Sequence, residues 1–91
     1  MKNWFVLRSE EAVDGTRKTG VAGTVDTRNG ANHLVRVVAA ELGLEAKYDK
    51  PQNDGGRLYQ GMNEQGVNMD VMAVRATEIR KIIFLEGVVE E

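Results

Sequence analysis

Apolar and polar residues recur with two different periods along this chain, and the change of period marks out its elements. Trp4-Phe5-Val6-Leu7 is a short aromatic and branched run with polar ends, which predicts a first strand. Ser9-Glu10-Glu11-Ala12 suits one helical turn, because serine caps and early glutamates favour the helix dipole. Asp14-Gly15 is a turn signal, so a hairpin from Trp4 to Val25 is the simplest topology. Its returning strand, Val21–Val25, is weakened by Gly23.

From Ala31 the period becomes helical. Ala31, Leu34, Val35, Val38 and Leu42 fall on one face, while Asn32, Arg36 and Glu41 fall elsewhere, so the spacing predicts a helix over 31–42. Gly43 followed by Leu44 has the form of a Schellman stop with its apolar contact. Asn29-Gly30 is a strong hairpin signal by itself, but the helical spacing that follows makes Asn29 a cap and Gly30 the relief of the turn.

Leu44 to Tyr48 alternates again and reads as a half-buried strand. Residues 49–56, DKPQNDGG, hold the only proline and read as a loop. Leu58 to Met62 and Val67 to Val74 are further strand candidates, separated by a turn at Glu64-Gln65-Gly66. Ala76–Ile79 turns the chain once more. Lys81 to Leu85 is apolar on both faces, as a central strand should be, and Val88–Glu91 forms a tail. The pattern predicts one α+β domain over residues 1–91, a mostly antiparallel sheet of about five or six strands packed on one main helix, 31–42.

Composition narrows the class. Apolar residues make up 42% and charged residues 29%, which excludes a disordered chain. There is no cysteine and one histidine, so neither a disulfide framework nor a thiolate metal site exists, and no metal or cofactor is expected. Asp49, Asp54 and Asp70 lack calcium-loop spacing. The first residues lack a signal-peptide pattern and no run reaches a membrane span, so a cytoplasmic, non-membrane protein is expected. Net charge is −2 from 12 basic and 14 acidic residues, and the basic residues are scattered along the sequence, which disfavours duplex nucleic acid as a partner.

Two polar segments are candidates for binding. Thr27-Arg28-Asn29-Gly30-Ala31-Asn32-His33 offers a glycine, backbone N–H groups, an arginine and small polar side chains at the positive end of a helix, the arrangement that holds phosphates and carboxylates. His33 is the one side chain whose ordinary titration lies near neutral pH, and as a base it needs a partner, for which Asp26 or Glu41 would serve only if the fold brings them close. Asn53, Asp54 and Arg57, with Tyr59 just beyond, combine an amide, a carboxylate and a cation in a flexible loop, the ingredients of a recognition loop. No phosphate-loop, nucleophile-elbow or zinc-protease motif is present. Val67 to Leu85 carries more apolar residue than one helix can cover, which predicts self-association.

The order of elements from Val21 to Tyr59 resembles the core of the GCN5-related acetyltransferases. The matching residues are Arg28, Gly30, Ala31, the helix to Leu42-Gly43-Leu44, and Leu58-Tyr59 after Asn53, with the glycine one residue earlier than in that family's turn. The resemblance implies acetyl-CoA held by the 27–33 turn and Tyr59 as general acid. Without a catalytic constellation in the residues themselves, the leading expectation is a non-catalytic binding module for a protein partner or a small anionic ligand, a nucleotide among them. A minimal acyltransferase is the alternative.

Overall fold

The computed structural model describes residues 3–12, 14–53 and 55–78. Five strands and one helix follow in the order β1 (Trp4–Glu11), β2 (Arg17–Val25), α1 (Arg28–Glu41), β3 (Glu45–Pro51), β4 (Arg57–Met62) and β5 (Asn68–Arg75), with a 3-10 turn at Ala76–Glu78. The strands form one antiparallel sheet in the order β2-β1-β5-β4-β3, and α1 packs on one face. The α+β architecture read from the sequence is therefore the one observed.

Alternation along the central strands places Trp4 and Val6 of β1, and Met69, Val71 and Ala73 of β5, beneath the helix. They meet Ala31, Val35, Val38 and Ala39 of α1, and Leu44 closes the far end of this core. Leu34 and Leu42, the other members of the predicted stripe, are half-buried at its margins. Leu7 and Val74 lie on the opposite face and are also buried. That face turns polar toward the other end of β1. There Thr19 donates to Ser9 Oγ at 3.3 Å, and Arg17 pairs with Asp70 at 2.6 Å.

The three hairpins close in the same way. In each, the first residue of a five-residue turn donates its N–H to the carbonyl of the fifth and accepts from the N–H of the fourth: Ala12–Thr16, Gln52–Gly56 and Asn63–Val67. The fourth residue is Gly15, Gly55 or Gly66, with φ between 82 and 89°. This is a three-residue loop that ends in a left-handed glycine, a conformation other residues enter only at a cost. Asp14 and Asn63 side chains cap their own turns, Asp14 accepting from Thr16 N at 3.0 Å and Asn63 from Gln65 N and Val67 N at 2.9 Å.

The helix stop is as read. Gly43 has φ 68°, its N–H donates to Ala40 O at 3.1 Å, and Leu44 N donates to Ala39 O at 3.1 Å, the two bonds of a Schellman motif.

Four expectations are corrected. Ser9–Ala12 makes no helical turn: β1 continues to Glu11 because β2 pairs with it as far as Glu11 and β5 as far as Glu10, and Ser9 is buried between them. The helix begins at Arg28 rather than 31, and Thr27, not Asn29, is its cap, since Thr27 Oγ1 accepts from Gly30 N at 3.0 Å. The strand expected at Leu44–Tyr48 is not half-buried. It runs over Glu45–Pro51 at the sheet edge, beyond the cover of α1, and only Asp49 is partly shielded. The loop expected over 49–56 contracts to the turn 52–56, because β3 and β4 pair as far as Pro51 and Arg57. The strand expected at Lys81–Leu85 and the tail 88–91 lie outside the described residues.

Candidate functional site: an arginine-flanked helix start

The chain leaves β2 at Val25, opposite Trp4 of β1, which itself stands opposite Arg75 of β5. The first turn of α1 therefore sits at the end of the sheet where β5 stops and the β3–β4 hairpin turns. Arg28 and Asn32 lie on the helix side that meets this hairpin.

The two polar segments that are separate in sequence meet here. Asn32 Nδ2 donates to Gly55 O at 2.9 Å, and Arg57 N donates to Asn32 Oδ1 at 2.8 Å. Arg28 lies across the same turn. A Cβ on Gly55 would stand 2.7 Å from Arg28 Cδ and 2.8 Å from Nη1, so the bare glycine is what lets the arginine lie down. Asn32 is thus a brace between helix and hairpin, with donor and acceptor both engaged, rather than a free ligand group.

Two open depressions flank this brace and share Asn29. One, of ≈ 220 Å³, is lined by Asn29, Asn32, His33, Arg36 and Arg57. The other, of ≈ 320 Å³, is lined by Trp4, Thr27, Arg28, Asn29 and Arg75. Arg75 lies over the Trp4 ring, 5.2 Å from its centroid, and Trp4 itself is 5% exposed. Arg57 pairs with Asp49 at 2.5 Å, whereas Arg28, Arg36 and Arg75 form no ion pair among the described residues. No acidic residue occupies the first turn of α1, and Asp26 just precedes the cap. Four of the chain's 12 basic residues thus gather at one end of a molecule of net charge −2.

Not every candidate takes part. The expected free N–H groups are reduced, because Thr27 holds Gly30 N through its hydroxyl and Ala31 N through its carbonyl at 3.0 Å. Asn53 is exposed in the turn, and Asp54 lies outside the described residues. Tyr59 is directed elsewhere, its hydroxyl donating to Leu44 O at 3.2 Å near the helix C-terminus. His33 is exposed, on the same helix side as Asn29, Asn32 and Arg36.

Arg36 and Arg75 were not among the candidates read from the sequence. Arg36 had a signal: Asn29, Asn32, His33 and Arg36 fall at i, i+3, i+4 and i+7, a polar stripe on one helix side. Arg75 had none, since its place follows only from the pairing of β5 with β1.

Among the described residues no three His, Asp or Glu side chains come together as metal ligands, and no helix is long and apolar enough to cross a membrane. Met69, Val71, Ala73 and Val74 are all buried, so over β5 the apolar excess that motivated a second copy is taken up by this chain's own fold. Comparison with protein-family models, curated proteins and solved structures yields no match.

Proposed function

We propose that this protein is a binding module that takes an anionic ligand at the start of α1, between the β3–β4 turn and the end of β5. One observation carries the reading: Arg28, Arg36, Arg57 and Arg75 converge on two depressions that share Asn29, although the chain as a whole is acidic. A guanidinium offers a planar fork of N–H donors that suits phosphate and carboxylate oxygens, and it stays charged at any physiological pH. The helix dipole adds a positive field at the same place. The brace at Asn32 holds helix and hairpin in register, so the arginines are presented from fixed backbone positions.

Calorimetry at low salt with pyrophosphate, ATP and acetyl-CoA tests the proposal. Binding of at least one of these, weakened in Arg28→Gln and in Arg36→Gln, supports it, and no heat with any of the three overturns it. A response to acetyl-CoA alone, lost in Arg28→Gln, would move the reading to acyl transfer.

Self-association is a separate reading with its own support. Among the described residues β2 is an edge strand of the sheet, and Val21 on it is 52% exposed. Light scattering at high concentration decides it, and a strict monomer removes it.

A further inference from the structure

We infer that the anion taken at this end of the molecule is the phosphate backbone of a single-stranded nucleic acid, an inference that rests on the anion-binding reading above. The first ground is the layout of the charge. Arg75 stands at the end of β5, Arg28 lies over Gly55 in the hairpin turn, Arg57 begins β4, and Arg36 stands two turns into α1. They are divided between two depressions that share Asn29, two arginines in each, rather than gathered around one point. Arg28 and Arg36 start about 12 Å apart along the helix axis, from a rise of about 1.5 Å per residue, and they line different depressions. A ligand that engages both depressions carries several phosphates in succession.

The second ground is the shape of the depressions. Each is open and shallow, and a small-molecule pocket ordinarily encloses most of its ligand. A polymer needs no enclosure, because it gains from repeated charge contacts and from counterion release. The third ground is what the surface lacks. Trp4, the aromatic ring that lines these depressions, is 5% exposed beneath Arg75 and presents no free face for a base. Contact is therefore made to phosphates, and recognition is indifferent to base sequence. Arginines divided between two depressions suit a flexible strand, whereas a duplex holds its phosphates on a rigid path.

Fluorescence anisotropy with a labelled mixed-sequence oligonucleotide, with the duplex of the same sequence and with ATP separates the possibilities. Arg57 is neutralised by Asp49, so three phosphate contacts, from Arg28, Arg36 and Arg75, predict a roughly 20-fold loss of affinity between about 50 mM and about 200 mM salt. In the double variant Arg28→Gln/Arg36→Gln, which leaves the Asn32 brace intact, the same change of salt should cost only about threefold. A flat salt dependence, a slope unchanged in the double variant, or tighter binding of the duplex overturns the inference. Binding of ATP without the oligonucleotide also overturns it and leaves the broader anion reading standing, whereas binding of neither removes both.

Discussion

Asn32 and Arg57, 25 residues apart, are joined by a hydrogen bond of 2.8 Å from the Arg57 backbone N–H to the Asn32 side-chain oxygen. The other half of the same amide donates to Gly55 O at 2.9 Å, so a single side chain satisfies one donor and one acceptor of the hairpin backbone. Both groups are partly buried, and truncation leaves them without a partner. Asn32→Ala should lower stability by about 1–3 kcal/mol, which urea unfolding measures directly. A loss below about 0.5 kcal/mol would show that water replaces the brace.

Gly55 and Gly66 occupy the same position in the same kind of turn, with φ 87 and 82°. Alanine in either place meets the left-handed backbone cost of about 1–2 kcal/mol. They differ in surroundings: a Cβ on Gly66 meets open space, while one on Gly55 displaces Arg28. Arg28 is a flexible side chain and can move. Thermal unfolding should therefore give similar losses for Gly55→Ala and Gly66→Ala, while anion binding falls only in Gly55→Ala. Equal binding by the two variants would detach Arg28 from the site.

Gly61 makes the opposite comparison. Its Cβ would lie 2.5 Å from the backbone oxygen of Glu45 and 3.2 Å from Leu44 Cβ, where the chain passes from the helix stop into β3. Backbone cannot swing aside as an arginine does, so Gly61→Ala forces β3 away from β4. A cost of about 1–3 kcal/mol is expected. Amide exchange should rise over Glu45–Pro51 and stay unchanged over β1 and β5.

Asp14 carries a pH signature. The Thr16 backbone N–H, and then the Thr16 hydroxyl, which donates at 2.7 Å, hold the Asp14 carboxyl below its ordinary value. A carboxyl whose folded pKa is depressed contributes stability that is fully present above its unfolded value and is lost as pH falls through the folded one. The contribution of the β1–β2 turn should thus fade only under acid conditions. In Thr16→Ala the hydroxyl bond is gone and the backbone bond remains, so the Asp14 midpoint followed by NMR should rise part of the way to an ordinary aspartate. An unchanged midpoint would assign the whole shift to the backbone bond.

Much of the architecture was legible locally. The stripe Ala31, Val35, Val38 predicted the helix, Gly43-Leu44 predicted its stop, and Asp14-Gly15 and Gln65-Gly66 marked turns, because each signal depends on residues within a few positions of one another. Where local signals misled, a contact made at a distance prevailed. Ser9-Glu10-Glu11 has a helix-start composition, yet two neighbouring strands hold it extended. Asp49–Pro51 looks like loop, yet pairing with β4 continues through it. Asn29 resembles a cap better than Thr27 does, yet Thr27 is the residue whose hydroxyl reaches Gly30 N.

The sequence by itself determined the kind of domain, the helix and its stop, and the two polar segments in which a site was sought, since periodicity, turn chemistry and composition act over short stretches of chain. Only the tertiary structure decided that these segments are one place. Strand order and register bring Arg75 to Trp4 and the hairpin turn to the first turn of α1, and no local pattern encodes pairings made across tens of residues. Along the chain Arg28 and Arg57 belonged to two separate candidates, and Arg75 carried no signal. Gathered at one end of the sheet, the arginines define the surface on which the proposed function rests.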